Sequence, residues 1–208
     1  ASAPGFAETG TYSDRNLRYY GPKGGSMLYD LVPADNRVQG GAFTTTDDAT
    51  SWQIIGGGVI TNTLLELNGT AQCVIGSTGT CEQTHYAPVS VTQSVTLSPT
   101  LYNPTLSFMY ALVGYDPLYF SADMGAESGA LAVSVGDGVI TKTEVYTASV
   151  YQHTTFVGWQ AAWMDLSPWN GSTITVTLTY TPVFVFDRFY DRMFAWVDNV
   201  AVGSWSTP

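Results

Sequence analysis

The stretch "STITVTLTYT", residues 172–181, decides the fold because apolar and polar side chains alternate along its whole length. Ile174, Val176, Leu178 and Tyr180 fall on one side, and threonines occupy the other. Alternate side chains of a β-strand point to opposite faces, so this period of two predicts a strand with one buried face and one wet face. A slip of one residue would bury the threonine hydroxyls, so we expect the register of this strand to be strongly specified.

Similar runs recur along the chain between turn residues, and no convincing helical pattern separates them. They are "SWQIIGGGVI", "TLLELNG", "AQCVIG", "VSVTQSVTL", "TLSFMYALVG", "ALAVSVGDGVI", "TTFVGWQAAWMDL", "FVFDRFYD" and "MFAWVDNVAVG". With residues 172–181 they predict about ten strands. The sequence therefore indicates an all-β fold, either a sandwich of two antiparallel sheets or a barrel.

Charge is unevenly distributed along the 208 residues, and the net charge is -10. Residues 1–38 hold four basic and four acidic side chains, whereas residues 39–208 hold three basic and thirteen acidic ones, which gives 3 − 13 = −10. An acidic body repels phosphate backbones and anionic lipid. This argues against nucleic acid and membrane-surface partners, and leaves cations and neutral ligands.

The first 38 residues show no sustained period of 2 or 3.6 and are punctuated by Gly and Pro. We interpret residues 1–38 as an irregular N-terminal arm and residues 39–208 as one β domain. Because the arm holds four of the seven bases, it could dock on its own acidic body or on a neighbour's. An extended arm can add a strand to an exposed sheet edge, so self-association through the arm is a second possibility.

Several features fit an exported chain. It begins with Ala rather than Met, as a processed secretory protein or an excised domain would. Asn68 and Asn170 lie in Asn-Gly-Thr and Asn-Gly-Ser sequons, which also occur by chance in Thr-rich sequences. No apolar run approaches the ~20 residues that span a bilayer, so we expect no membrane insertion. Cys73 and Cys81 bracket "VIGSTGT", which permits a tight reversal, so they form either a disulfide or two free thiols on neighbouring strands.

A series of spaced motifs resembles a known group of domains. The motifs are "GGAF" (residues 40–43), Trp52, "LLELNGTAQ", "VTQSVTLSP", "TLSFMYALVG", "GALAVSVGDG", "GWQAAWMDLSPWNGSTITVTLTY" and "AWVDNVAV". In this order they are similar to the carbohydrate-binding-module and MAM-like jelly-roll domains of secreted bacterial proteins. The resemblance implies a jelly-roll β-sandwich in a secreted or cell-surface accessory module, and it is a stronger guide to fold than to function.

The resemblance also implies a structural Ca²⁺ that ties the first and last strands together through oxygen ligands. Asp198 matches the acid of the family's last strand, and backbone carbonyls such as that of Gly41 would contribute. The early acid of the family is replaced by Thr44, whose hydroxyl would have to substitute for it. Alternatively, Asp198 accepts hydrogen bonds from backbone amides at the edge of the sandwich.

Residues suited to catalysis are few. Glycoside hydrolysis needs two carboxylates ~5–10 Å apart, but Glu66 and Glu144 are isolated acids in the sequence. His85 and His153 are the only histidines, and neither has an evident nucleophile beside it. We therefore expect no enzymatic activity unless Glu66 and Glu144 share a cleft.

Aromatic residues supply the candidate ligand site. Trp52, Trp159 and Trp163 fall at positions that are packed in the resembling family, so we assign them to the interior. The segment "DRFYDR" combines rings with fixed polar groups, a combination that suits sugars. Alternatively, its rings fold back on the body and its charges pair locally. Trp169 is either a further exposed candidate or a turn aromatic that covers the sheet. The predicted ligand-binding residues are Asp187, Arg188, Phe189, Tyr190, Asp191, Arg192 and Trp169.

Two functions follow from these observations. The first is a non-catalytic, secreted module that binds a polysaccharide or other glycan. The second is a structural or assembly subunit of an extracellular polymer or surface layer, with subunit contacts through residues 1–38.

Overall fold

The structure is a computed structural model. It describes residues 9–13, 35–43, 50–56, 59–60, 64–68, 70–75, 81–115, 126–150, 154–181 and 192–204.

The described residues form two antiparallel sheets and a separate hairpin. The six-stranded sheet has the order β1 (Thr9–Ser13), β11 (Thr154–Asp165), β8 (Pro104–Tyr115), β13 (Arg192–Ser204), β4 (Leu65–Asn68), β3 (Val59–Ile60). The five-stranded sheet has the order β10 (Thr141–Val150), β9 (Ala126–Gly136), β12 (Thr173–Thr181), β7 (Val89–Thr96), β2 (Gln53–Ile55). The hairpin pairs β5 (Thr70–Ile75) with β6 (Cys81–Ala87), and Ser167–Trp169 form a single 3₁₀ turn.

From β7 onward the chain crosses repeatedly between the sheets, and only the β9–β10 hairpin stays within one sheet. This connectivity stacks the sheets face to face and confirms the predicted all-β sandwich. The part of the chain that the structure describes contains no helix with the length and apolar character to span a bilayer.

Strand β12 occupies the centre of the five-stranded sheet and has the orientation predicted from its alternation. Ile174, Val176, Leu178 and Tyr180 are each fully buried. They meet the inward residues of the six-stranded sheet, among them Phe108. The threonines of β12 point to the outside of the sandwich, so the predicted register is correct.

Strand β8 is buried on both faces. Leu106, Phe108, Tyr110 and Leu112 belong to the core between the sheets. The side chains that alternate with them are also buried, namely Thr105, Ser107, Met109 and Ala111. A central strand flanked by β11 and β13 has little exposed surface, which is why its sequence is almost continuously apolar.

Residues 35–43 run beside the end of β13 and form a seam between the beginning and the end of the domain. The Val200 amide donates to the Gly41 carbonyl oxygen over 2.9 Å, and the Arg37 amide donates to the Val202 carbonyl oxygen over 2.7 Å. The Asn36 side-chain oxygen accepts a further bond from the Val202 amide, 2.9 Å long. The expectation that the two ends of the domain lie side by side is therefore confirmed.

A buried glutamine holds the same segment to the five-stranded sheet. The side chain of Gln93, on β7, accepts a hydrogen bond from the Gln39 amide over 2.9 Å. Its nitrogen donates to the carbonyl oxygens of Gln39 and Ser51 at 2.8 and 2.9 Å. Three bonds compensate for the desolvation of this amide, so Gln39 and Ser51 are both held to the five-stranded sheet.

A bulge in β13 explains the polar interruption in "AWVDNVAVG". Asp198 lies opposite Met109 and Ala201 lies opposite Ser107, so β13 has one residue more than β8 at this point. Asn199 has a φ of 52°, a left-handed conformation that Asn tolerates better than most residues. After the extra residue, the side chains that would have pointed outward point inward, and the reverse. The core therefore receives odd-numbered residues before the bulge and even-numbered residues after it: Ala195, Val197, Val200 and Val202.

Part of the predicted arm belongs to the sandwich. Residues 9–13 form β1, which pairs with β11 in the register Thr9 to Met164 and Ser13 to Gln160 and is the edge strand of the sheet. The arm thus adds a strand to the edge of its own six-stranded sheet. The predicted domain boundary at residue 38 stays a prediction.

Replacing Gly41 with alanine tests the seam. The added methyl carbon would overlap the Val200 carbonyl oxygen and lie 3.0 Å from the nearest Val38 methyl, so the segment would have to move away from β13. We expect the free energy of unfolding to fall by about 1–3 kcal/mol, the usual cost of overpacking, in urea denaturation. Ala42→Ser, at an exposed position next to Gly41, is the control and should stay within about 0.5 kcal/mol of the native value. An unchanged Gly41→Ala protein would contradict the close packing of the seam.

Candidate functional site

Three aromatic side chains form a cluster on the outer face of the six-stranded sheet, which we call the aromatic platform: Trp159, Phe194 and Trp196. The indole rings of Trp159 and Trp196 are stacked, with centroids 6.3 Å apart and planes inclined by 22°. The Phe194 ring lies 5.2 Å from that of Trp196. All three residues are half-buried, neither part of the core nor fully exposed.

The backbone of two strands sets the position of the platform. Phe194 and Trp196 are two residues apart on β13, and Trp196 lies opposite Ala111 of β8. Trp159 falls within an irregularity of β11 between Val157 and Gln160. The fully buried Ala111 occupies little volume beneath the rings, which leaves room for two indoles above the central strand.

Glu66 provides a charged group at the edge of the platform. It lies on β4 directly opposite Trp196, and its Oε2 atom accepts a hydrogen bond from the Trp196 ring nitrogen over 3.1 Å. This bond fixes the plane of the indole. A carboxylate has about four acceptor sites, so Glu66 can also accept hydrogen bonds from a ligand hydroxyl.

Asp198 lies on the same face as Trp196, two residues further along β13. Its oxygens accept hydrogen bonds from the Asn199 amide and side chain, at 2.7 and 3.3 Å. Burial raises the pKa of Asp198 to about 6, and the hydrogen bond from the Asn199 amide opposes that rise only partly. The predicted backbone hydrogen bond of Asp198 is therefore present, within a bulge rather than at a regular strand edge.

The predicted calcium ligands are only partly described. Asp198 and Gly41 both adjoin the bulge, where the Gly41 carbonyl oxygen accepts the Val200 amide. Thr44 lies outside the described residues. Among the residues that were described, no three His, Cys, Asp or Glu side chains form a group suited to a metal ion. Calcium binding by Asp198, Gly41 and Thr44 stays a prediction.

Most of the predicted ligand-binding segment "DRFYDR" cannot be placed. Asp187, Arg188, Phe189, Tyr190 and Asp191 lie outside the described residues, and Arg192 is the first residue of β13. Their part in ligand binding stays a prediction.

The exposed position considered for Trp169 is wrong. Trp169 ends the 3₁₀ turn and is only 1% exposed, so its ring covers the core as a turn aromatic. Its indole nitrogen is buried and has no hydrogen-bond partner in the structure. In this position the ring cannot present a face to a ligand.

The interior assignment of the other tryptophans is correct for Trp52 and wrong for Trp159 and Trp163. Trp52 is buried against Phe43, with ring centroids 5.7 Å apart, and its indole nitrogen donates to the Gly40 carbonyl oxygen. Trp163 is half-buried opposite Ser107, on the outer face. Strand alternation could have revealed the position of Trp163, whereas Trp159 depends on an irregularity of β11 that leaves no clear signal in the sequence.

Glu66 and Glu144 do not share a cleft. Glu66 is on the outer face of the six-stranded sheet with Trp196. Glu144, on β10, lies opposite the core residue Val133 and therefore points to the inner side of the five-stranded sheet. The six-stranded sheet separates the two carboxylates, so the condition under which we expected hydrolysis is not met.

Cys73 and Cys81 lie on the neighbouring strands β5 and β6. Cys81 lies opposite Ile75, and Cys73 lies opposite Thr84, with a register shift between Val74 and Ile75. No free cysteine is found among the described residues. The Cys73–Cys81 disulfide stays a prediction.

Comparison with known proteins gives distant structural neighbours and no family. No family model matches the chain, and no curated protein matches it at a significant level. A family 61 carbohydrate-binding module in complex with β-1,4-galactotriose is 10% identical with a TM-score of 0.43, over 83% of this chain and 100% of that one. A family 27 carbohydrate-binding module that recognises mannan is 9% identical with a TM-score of 0.40, over 79% and 95%. A Stig cyclase from Fischerella sp. TAU is 12% identical with a TM-score of 0.38, over 84% and 98%.

These neighbours include binding modules and an enzyme, and likenesses of this degree do not establish a shared function. The likeness to carbohydrate-binding modules and to MAM domains stays a prediction.

The raised pKa of Asp198 predicts a pH dependence of stability that can be measured in the presence of EDTA. The folded state holds the proton more tightly than the unfolded chain does. The stability from this carboxyl is therefore fully present below its ordinary value of 3.8, and is lost as the pH rises through about 6. In Asp198→Asn this contribution is absent. We expect the free energy of unfolding of the variant to rise relative to that of the native protein between pH 4 and 7.

Urea denaturation across this pH range gives the comparison, and NMR titration of Asp198 gives its midpoint directly. A midpoint near 4 in EDTA would contradict the desolvation of this carboxyl. Adding Ca²⁺ tests the predicted metal, because a bound cation would hold the carboxylate charged and lower the midpoint.

Proposed function

We propose that this chain is a non-catalytic glycan-binding module of an exported protein, and that the aromatic platform is its binding site. The observation that carries the proposal is the partly buried stack of Trp159 on Trp196 beside the Glu66 carboxylate, on the outer face of the sheet. Sugar rings present C–H faces that pack on aromatic rings and hydroxyls that bond to fixed polar groups. The platform supplies both kinds of contact on one surface.

Preorganisation supports the proposal. Trp196 is held by the Glu66 hydrogen bond and by contact with two other rings. A ligand that stacks on it would therefore cost little side-chain entropy. Because the platform lies on strands of the sheet, its spacing is less variable than that of a loop site.

Charge narrows the class of glycan. The chain carries a net charge of -10, and Glu66 lies within the proposed site. A carboxylate at the site and an acidic body both disfavour sulfated or uronic polysaccharides. A neutral glycan with free hydroxyls is the ligand that this arrangement favours.

Removing the central ring tests the site. We expect Trp196→Ala to lower the affinity for neutral β-1,4-linked manno-, gluco- or galacto-oligosaccharides at least tenfold, about 1.4 kcal/mol, because it removes both the stacked surface and the group that orients Glu66. Isothermal titration calorimetry measures the change. Tyr102→Ala is the matched control, because Tyr102 is an aromatic residue with 61% exposure in the turn before β8, away from the platform.

Two outcomes would contradict the proposal: no neutral oligosaccharide binds the native protein, or Trp196→Ala binds as tightly as Tyr102→Ala does. Tyr190→Ala separately tests the predicted segment Asp187 to Arg192, and an unchanged affinity would remove that segment from the site.

Assembly through the arm is the second candidate, and the observation that favours it is the pairing of β1 with the edge of β11. The same antiparallel ladder can form between two copies if the arm of one reaches the other, as in domain swapping. Residues 1–13 are then the subunit contact. The same residue pairs form whether β1 belongs to the same chain as β11 or to a second copy. The oligomeric state is therefore the measurement that distinguishes the two arrangements.

A variant that lacks residues 1–13 distinguishes the arrangements, because it keeps Asp35 and Asn36 and hence the seam with β13. Assembly predicts that the native protein is oligomeric in size-exclusion chromatography with light scattering and that the shortened protein is a monomer. If the shortened protein has the same number of subunits as the native protein, assembly through β1 is excluded.

A further inference from the structure

Hydroxyl groups make up most of the outer face of the five-stranded sheet, on the opposite side of the sandwich from the aromatic platform. We call this surface the hydroxyl face. The pairing of β7, β12, β9 and β10 assigns its hydroxyl-bearing members, which are Ser90, Thr92, Ser94, Thr96, Ser134, Thr141, Thr143, Thr147, Thr173, Thr175, Thr177, Thr179 and Thr181. Ala130, Ala132 and Val145 lie among them on the same face, and Val145 is 58% exposed. Among the described residues of these four strands, no charged side chain points to this face.

The register aligns the hydroxyls in rows across the sheet. One row crosses all four strands at Thr92, Thr177, Ser134 and Thr143, each opposite the next. Neighbouring strands are about 4.8 Å apart, and alternate residues along a strand are about 6.7 Å apart. The face is therefore a two-dimensional array with fixed spacings.

Hydrogen bonds between strands hold many of these hydroxyls in place. Within the row, Thr177 bonds to Thr92 over 3.3 Å and Ser134 pairs with Thr143 over 2.8 Å. Two further cross-strand pairs are Ser90 with Thr179 at 2.8 Å and Thr96 with Thr173 at 3.0 Å. β-Branched side chains have restricted χ1 angles, so the threonines lose little freedom when a partner binds.

The array can form hydrogen bonds with a partner that carries both donors and acceptors. A hydroxyl has one donor and two acceptor sites, so a bonded pair retains one donor and three acceptor sites. The absence of charge from these described strand positions matters because lysine and glutamate are costlier to desolvate than hydroxyls. A neutral surface of ordered hydroxyls is the chemical complement of this face.

We propose that the hydroxyl face is a second binding surface, which docks on the ordered surface of an insoluble neutral polysaccharide. Only the class of partner, a neutral glycan, rests on the proposed function. The face spans about 14 by 27 Å, or roughly 400 Å². Two such faces in contact would bury about 800 Å², less than the ~1,200 Å² of a stable protein interface, so a second copy is not the occupant that its size favours.

The position of the two surfaces adds a functional consequence. The aromatic platform and the hydroxyl face are on the outer sides of opposite sheets, so one flat surface cannot contact both. A module with both sites would hold a soluble glycan chain on one side and a solid on the other.

Sedimentation with microcrystalline cellulose, chitin and insoluble mannan tests the proposal. The double variant Thr92→Val and Thr177→Val removes two hydroxyls from the central row and keeps β-branched side chains, which preserves strand preference. We expect its partition constant on the solid that binds the native protein to fall at least tenfold. Thr100→Val is the control, because Thr100 is an exposed threonine in the turn before β8, and its partition constant should change less than twofold.

A second variant shows whether a loss of adsorption comes from the surface rather than from misfolding. Thr143→Lys places a charge on the edge strand β10 and leaves β7 and β12 unchanged. We expect it to lose adsorption as the double variant does. Circular dichroism melting confirms that each variant is folded. Because the aromatic platform can itself bind chains at the surface of these solids, adsorption is measured with soluble oligosaccharide in excess, which occupies the platform, and Trp196→Ala is used only to report soluble binding.

The outcomes separate the two proposals. Loss of soluble binding in Trp196→Ala, with unchanged adsorption of both hydroxyl-face variants, overturns the second surface and leaves the proposed function intact. Failure of the native protein to adsorb to any of the three solids also overturns the second surface. Inhibition of ice growth that depends on Thr92 and Thr177, without adsorption to polysaccharide, would replace the proposed partner with ice.

Discussion

One inserted residue, Asn199, determines which side chains of the last strand face the core and which face outward. Before the bulge, Trp196 and Asp198 face outward while Val197 is buried, and after it Val200 is buried. Without the extra residue, burying Val200 would require an interruption elsewhere in β13, because side-chain direction has a period of two. The bulge thus makes an outward Trp196 compatible with a continuous core. It also frees the Val200 amide to bond to Gly41.

The sandwich separates two chemically different surfaces. The outer face of the six-stranded sheet carries a stacked indole pair beside a carboxylate, and the outer face of the five-stranded sheet carries hydroxyls held by cross-strand bonds. Both depend on the same core, because the residues that alternate with them fill the space between the sheets. A register slip in either sheet would bury the surface groups and expose the core, so fold and proposed function are specified by the same alternation.

The fold was predictable where strands bury one clear face. Strands β7 and β12 follow their apolar alternation closely. Strands β6 and β10 were missed because "CEQTHYA" and "TKTEVYTASV" contain few apolar residues. β10 is an edge strand with half-buried and exposed side chains, so pairing with β9 and the packing of Tyr146 on the core stabilise it.

The sequence by itself determined the all-β class, the wet threonine face and the meeting of Gly41 with the last strand, because these follow from alternation and from the resemblance of short motifs. Only the tertiary structure decided that Trp159 stacks on Trp196, that Glu66 bonds to the same indole, and that Trp169 is buried. The reason is physical. Alternation fixes the side of a strand to which a residue points, whereas contacts between strands depend on sheet order and on irregularities such as those in β11 and β13, which the chain adopts only when the two sheets pack.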